Sequence, residues 1–94
     1  MREPTRKLIR SDGSEEILEK VDIEQIRQLI GADSLDTVNL RDRFGHVMLV
    51  DDLGHHKNLP VNMKGTALYL TVCRPETKHV IRGPVVIVPD GDFA

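Results

Sequence analysis

The stretch GPVVIVPD, residues 83–90, contains four consecutive apolar residues between two prolines. A half-buried strand alternates apolar and polar side chains, whereas a strand that is covered on both faces does not. Because proline cannot donate a hydrogen bond within a sheet, Pro84 and Pro89 mark the limits of the strand. This segment therefore predicts an interior strand of a sheet.

A second segment of the same kind is HVMLVDD, residues 46–52, in which four consecutive apolar residues precede two aspartates. It is typical of a strand that is covered on both faces. The preceding segment, SLDTVNLRD at residues 34–42, places Val38 and Leu40 on one face of a strand. The sequence predicts that these two segments form a hairpin at the centre of the sheet.

The N-terminal region also has the pattern of a hairpin. The charged segments TRKLIR, residues 5–10, and EEILEK, residues 15–20, flank SDGS. Asp12 and Gly13 favour a type I′ turn, in which both central residues need a positive φ. Basic side chains on the first segment are typical of an edge strand, because charge on an edge opposes unwanted pairing.

The segment VDIEQIRQLIGAD, residues 21–33, has the clearest helical pattern. Asp22 is suited to cap the first turn, and Gln25 completes a capping box. Gly31 supplies the left-handed position that ends the helix. The predicted apolar stripe consists of Ile23, Ile26 and Ile30.

The segment NMKGTALYLTV, residues 62–72, fits either a helix or a strand. A helix capped by Asn62 would place Met63, Ala67 and Leu70 on one face. A strand would show alternation in its second half, and Gly65 weakens a helix. We favour a short helix over residues 63–70, followed by an exposed loop.

The order of predicted elements is β-β-α-β-β-α-β. It predicts an α+β fold with a small, mainly antiparallel sheet of about five strands and two short helices. With 94 residues, the chain is expected to form a single domain over residues 1–94, with frayed termini at 1–4 and 91–94.

Composition excludes several classes of function. A formal net charge of -2 gives no general attraction to nucleic acid or to an anionic membrane. A basic arm could still make weak contacts with phosphates; its residues are Arg2, Arg6, Lys7 and Arg10. Without a long apolar run, we expect no signal peptide, no membrane span and a cytoplasmic protein.

Four residues at the end of segment 46–52 and in the turn that follows it have the chemistry of metal ligands: Asp51, Asp52, His55 and His56. Adjacent residues of an extended segment point in opposite directions, so that one Asp and one His at most would share a centre. His46 or His79 would have to complete the site. Polar residues around a glycine are more typical of a surface turn.

Nucleophilic catalysis has little support in the sequence. Cys73 is the only cysteine, which excludes an intramolecular disulfide and a thiolate zinc cluster. An activated cysteine needs a partner that lowers its pKa, and His79 is the only one close in sequence.

A candidate anion site is the predicted start of the second helix, at Asn62, Lys64, Gly65 and Thr66. Free N–H groups there attract anions, and Lys64 adds a positive charge. The alternative is that Asn62 serves only as a helix cap.

The second half of the chain resembles a known family. Its segments VDDLGHHKNLPVNMKGTALY, residues 50–69, and VIRGPVVIV, residues 80–88, are similar to the bacterial and phage domain-of-unknown-function family 3846. The matching positions are Asp51, Gly54, Leu59, Pro60, Asn62, Thr66, Ala67, Leu68, Gly83, Val85, Val86 and Ile87. Ala32 stands where that family has a second glycine after its helix. The resemblance implies a gene carried by phages, plasmids or their hosts, and it brings no catalytic residues.

The leading hypothesis is a small non-enzymatic binding or accessory module of phage or mobile-element type. It would act on a host or phage protein, or on a small ligand, through a sheet face or the loop before Asn62. No catalytic residue and no cofactor is assigned. One alternative is capture of a nucleotide or another anion at the helix start 62–66, in a homo-oligomer such as a dimer. The other is a metal-dependent enzyme that uses Asp51, His55 and His56.

Overall fold

The computed structural model describes residues 6–41, 45–54, 57–73, 76 and 79–93. The elements in chain order are β1 (Lys7–Ile9), β2 (Glu15–Ile17), α1 (Ile23–Ile30), β3 (Leu35–Asn39), β4 (His46–Asp51), α2 (Met63–Leu70), β5 (Val85–Pro89) and a 3-10 turn (Asp90–Phe93). One antiparallel sheet contains the strands in the order β2-β1-β5-β4-β3. The predicted α+β fold, with two helices and a five-stranded sheet, is confirmed.

The two helices cover opposite faces of the sheet. The cluster on the α1 side contains Leu8, Val47, Leu49, Val86 and Val88 of the sheet, with Ile26 and Ile30 of the helix. The cluster on the α2 side contains Ile9, Met48, Val50, Val85 and Ile87 of the sheet, with Leu68 and Tyr69 of the helix. Successive residues of β4 and β5 thus belong alternately to the two clusters. Both strands are buried throughout, which confirms the prediction made from their unbroken apolar runs.

The prediction that the basic N-terminal segment is an edge strand is wrong. β1 lies between β2 and β5, and β2 forms the edge. Basic residues in and just after β1 pair with the acidic β2: Lys7 Nζ lies 2.9 Å from Glu15 Oε1, and Arg10 Nη2 lies 2.6 Å from Glu16 Oε1. The basic first segment and the acidic second segment are therefore the two ion-paired strands of a hairpin. Arg2 lies outside the described residues.

The turn of this hairpin differs from the predicted type I′. Arg10 N–H donates to Ser14 O at 2.9 Å, and Gly13 N–H donates to Arg10 O at 2.9 Å. Gly13 has a φ of 91°, whereas Asp12 has no positive φ. Asp12 Oδ1 instead accepts hydrogen bonds from the backbone N–H and the hydroxyl of Ser14, at 2.9 and 2.7 Å. These bonds favour a three-residue connection that needs one left-handed residue only.

The hairpin of β3 and β4 is present, but only β4 is central. β4 pairs with both β3 and β5, whereas β3 lies at the end of the sheet. The sequence is consistent with this difference, because polar residues separate the apolar ones along β3, whereas the apolar residues of β4 are consecutive. Val38 and Leu40 both pack on the α2 side of the sheet, so they share one face, as predicted.

Helix α1 has the predicted capping box, with Asp22 and Gln25 exchanging hydrogen bonds of 2.8 and 2.9 Å. Gly31 ends it with a φ of 73°. The prediction for Ile23 is wrong: it is 47% exposed. Ile26 and Ile30 define the buried line of the helix, and half-buried Leu29 completes it.

Helix α2 has the predicted bounds, and Asn62 caps it. The predicted apolar face is wrong, because Met63 and Leu70 are 73% and 41% exposed and Ala67 is also exposed. Gly65 and Thr66 are the buried residues of this helix. This face of α2 is buried because Gly65 has no side chain. A Cβ there would lie 3.3 Å from Cγ1 of Val85, so glycine lets the helix approach β5 closely.

Candidate functional site

Asn62 is fully buried and joins three parts of the fold. Its Nδ2 donates to the carbonyl oxygens of Ile9 and Gly83, both at 3.0 Å. Its Oδ1 accepts from the N–H of Gly65 at 2.9 Å, which caps α2. Both side-chain donors and the capping acceptor are thus used within the protein.

The other residues of the candidate anion site also bond within the fold. The hydroxyl of Thr66 accepts from the N–H of Ile81 at 2.8 Å, and the N–H of Thr66 donates to Asn62 O at 2.9 Å. Lys64 Nζ donates to Glu15 Oε2 at 2.6 Å. The structure places Asn62, Lys64, Gly65 and Thr66 together at the start of α2. An anion there would have to compete with these contacts.

The Lys64 ion pair connects α2 to the first hairpin. Glu15 also pairs with Lys7 through its second carboxylate oxygen. The hydrogen bond from Lys64, followed by that from Lys7, holds the pKa of Glu15 at about 2, well below its usual value of 4.5. Lys7 and Lys64 therefore both bind the carboxylate of Glu15 on β2.

Asp51, the first residue of the candidate metal site, is held by its own loop. Its side chain is fully buried, and its two oxygens accept from Leu53 N–H and from Lys57 Nζ, both at 2.8 Å. The hydrogen bond to Asp51 raises the pKa of Lys57. Lys57 Nζ also donates to the Gly31 carbonyl at the end of α1, at 3.3 Å. Asp51 therefore ties the loop after β4 to α1.

The metal hypothesis depends on His55 and His56, which lie outside the described residues. Among the residues that the structure describes, no group of three or more His, Cys, Asp or Glu side chains is arranged to hold a metal ion. His46 is buried, whereas His79 is exposed and lies beside the pocket described next. The metal-dependent enzyme stays a prediction.

A pocket of about 200 Å³ opens on the α2 side of the sheet. Four parts of the chain form it: β3, the end of β4 with the turn that follows it, α2 and residues 79–82. Its apolar lining is Val38, Val50, Tyr69, Val80 and Ile81. Gly54 brings the turn close to the last segment, since a Cβ at Gly54 would lie 3.1 Å from the carbonyl oxygen of Arg82. The pocket lies beside the loop that precedes Asn62.

Polar groups surround this apolar lining. Asp36 and Asp52 are exposed carboxylates, and Arg82 and His79 lie along the same pocket. The guanidinium of Arg82 donates through Nη1 to the carbonyl of Leu59 at 2.9 Å, which fixes it on the loop before α2. An apolar floor with a few polar groups around it is the usual composition of a ligand site.

Tyr69 connects the pocket to Cys73. A hydrogen bond with Cys73, burial and the negative charge of Asp36 together raise the pKa of the Tyr69 phenol, which stays protonated at neutral pH. Cys73 is half-buried and unbonded to another cysteine. Cys73, whose activation by His79 the sequence did not favour, therefore has the pocket residue Tyr69 as a hydrogen-bond partner.

The sequence interpretation missed Asp36, Val38, Tyr69 and Arg82 as site residues. Their spacing carries no motif. The pairing of β3 with β4, the packing of α2 on the sheet and the bridge between Val61 and Arg82 bring them together.

No family model, no curated protein and no solved structure matches this chain. In the part of the chain that the structure describes, neither helix is long and apolar enough to cross a membrane.

Proposed function

We propose that the protein is a small non-enzymatic binding module, of the type carried by phages and mobile elements, and that it binds its ligand in the pocket beside β3. The observation that carries this proposal is the pocket itself, with its apolar floor and its charged rim. The resemblance of residues 50–69 and 80–88 to a phage and bacterial family supports the biological setting.

The size and the lining of the pocket support uptake of a small group. A cavity of about 150 Å³ accommodates benzene, so that 200 Å³ is enough for one side chain or a small metabolite. Val38, Tyr69 and Ile81 supply apolar contact, while Asp36 and Arg82 offer charges that orient a polar group. By contrast, the side chains of Asn62, Lys64 and Thr66 at the start of α2 already bond to other parts of the fold.

The test is a screen of small molecules and short peptides by nuclear magnetic resonance, read from the backbone amide shifts of the ¹⁵N-labelled protein. We expect perturbations at Asp36, Val50, Gly54 and Ile81, with the ligand recovered chemically unchanged. A screen without perturbations at the pocket, or conversion of a bound compound to a product, would overturn the proposal.

A pair of matched variants makes this test specific. Val38→Phe fills the pocket from β3, and we expect it to abolish binding. Val21→Phe adds the same bulk at a half-buried valine that packs on the α1 side of the sheet, and we expect binding to persist. Equal effects of the two variants would contradict the assignment of the site.

A further inference from the structure

The pocket lies next to an open edge of the sheet. Within the described residues, β3 pairs with β4 on one side only, and it pairs there over all five of its positions. Its sequence, LDTVN, contains neither proline nor lysine, the residues that commonly block pairing at an edge. β3 therefore presents a regular strand to which a further strand can add.

The hydrogen bonds at both ends of the β3–β4 hairpin show which backbone groups face outward. Leu40 N–H donates to His46 O, and Asp52 N–H donates to Ser34 O, both at 3.0 Å. Even-numbered residues thus direct their backbone toward β4. Because the direction alternates along a strand, Leu35, Thr37 and Asn39 direct their N–H and C=O groups to the open edge. Three outward-facing residues are enough for a short series of backbone hydrogen bonds with an added strand.

One of these outward groups has a local partner. The N–H of Thr37 donates to Oδ1 of Asp36 at 2.9 Å. An added strand would offer a carbonyl to this N–H and release the Asp36 carboxylate. Since Asp36 also lines the pocket, backbone pairing at the edge and side-chain binding in the pocket act on the same residue.

The charges beside the edge favour a basic side chain. Asp36 and Asp52 are exposed at the pocket, whereas Arg82 is fixed on the Leu59 carbonyl, and His79 lies at the rim. The third carboxylate, Asp51, is neutralised by Lys57. The apolar floor suits the aliphatic stem of a lysine or arginine, whose charged end then reaches the carboxylates.

We propose that β3 accepts an extended peptide segment of a partner protein as an added strand, and that one lysine or arginine side chain of this segment enters the pocket. This inference rests on the proposed function and names the class of partner. A residue of the added strand that faces the α2 side lies about 5 Å from Asp36 or Val38, as cross-strand neighbours do. Main-chain bonds supply affinity, and the pocket selects the basic residue.

The test uses three synthetic peptides with blocked termini, titrated to millimolar concentration and followed by amide shifts. The first is Thr-Val-Lys-Val-Thr, the second has glutamate in place of lysine, and the third has N-methyl groups on alternate amides. We expect the lysine peptide to bind, the glutamate peptide to bind at least about tenfold more weakly, and the methylated peptide to show no binding. Equal binding of the first two peptides would overturn the charge assignment.

Variants of the protein locate the peptide on β3. Asp36→Asn should weaken binding about threefold, as expected for loss of one exposed charge pair, while the exposed Asp33→Asn should leave binding unchanged. Thr37→Pro removes an outward N–H and should abolish binding, while Thr37→Val should not. If Thr37→Pro fails to fold, amide hydrogen exchange of the wild-type protein gives the test. The lysine peptide should slow exchange of the backbone amides of Leu35, Thr37 and Asn39. Unchanged exchange at these amides would overturn the proposal.

Failure of this inference is distinguishable from failure of the proposed function. Small molecules that perturb the pocket while none of the peptides protects the edge of β3 would leave a ligand-binding module that does not take an added strand. Absence of any amide shift change at the pocket would contradict both the proposed function and the added strand.

Discussion

Replacing Asn62 with alanine should cause the largest loss of stability of any single polar substitution discussed below. Asn62 is fully buried and bonds to Ile9, Gly83 and Gly65, which belong to β1, the segment before β5 and α2. Asn62→Ala therefore removes the cap of α2 and the donors of two enclosed carbonyl groups in one step.

The magnitude follows from these contacts. Loss of a helix cap costs about 1 kcal/mol, and each carbonyl that loses its buried donor costs about 1–2 kcal/mol. The sum is about 3–5 kcal/mol of the free energy of unfolding. A domain of 94 residues has a total of about 5–14 kcal/mol. The variant should lose at least about 12 °C in Tm, given about 4 °C or more per kcal/mol at this size.

The assay is urea unfolding followed by circular dichroism, with thermal unfolding as a second measurement. The matched control is Asn39→Ala, since Asn39 is exposed and its Oδ1 accepts from the N–H of Arg41, at 2.8 Å. The control should lose less than about 1 kcal/mol. A loss below about 1 kcal/mol for Asn62→Ala would refute the structural role assigned to this residue.

Three further changes test the surroundings of α2. Thr66→Val should cost about 1–3 kcal/mol in urea unfolding, because the buried N–H of Ile81 loses its acceptor. Gly65→Ala should not stabilise the protein despite the helix propensity of alanine, which is worth about 1 kcal/mol, since its Cβ would lie 3.3 Å from Cγ1 of buried Val85. Glu15→Gln should lower Tm at neutral pH, and the difference from the wild type should close as pH falls from 4.5 through about 2.

The sign of the pH effect follows from the lowered pKa of Glu15. The ionised form is favoured in the folded protein, so its contribution is present above pH 4.5 and is lost as the carboxylate takes up a proton near pH 2. Glu16→Gln is the matched control, and an equal pH profile for both variants would contradict the bridging role of Glu15. For Thr66→Val, the matched control is Thr71→Val, because Thr71 is exposed.

The parts of the fold that follow from local rules were predictable from the sequence. The capping box and Gly31 define α1, and the unbroken apolar runs define β4 and β5 as interior strands. These features depend on hydrogen bonds within one turn or on burial of both faces, and each leaves a pattern in adjacent residues.

The parts that depend on distant contacts were not predictable. Whether β1 or β2 forms the edge is decided by pairing of β1 with β5, far along the chain. The buried face of α2 is decided by the close approach of Gly65 to Val85, which favours short residues over larger apolar ones. Asn62 was recognised as a cap, but its bonds to Ile9 and Gly83 come from the tertiary fold.

The same distinction applies to the pocket. Asp36 and Val38 come from β3, Tyr69 comes from α2, and Ile81 precedes β5. These segments are far apart in the sequence, so no single stretch of sequence shows that they line one pocket. The start of α2 drew attention because asparagine, lysine and glycine stand together in sequence, yet these residues bond to other parts of the fold.

The most direct test of the account is a crystal structure of the protein with the strongest binder from the screen. We predict electron density for the ligand between Val38, Tyr69 and Ile81, with a polar group of the ligand within hydrogen-bond distance of Asp36. Density at the first turn of α2, beside Lys64 and Gly65, with an empty pocket would contradict the account.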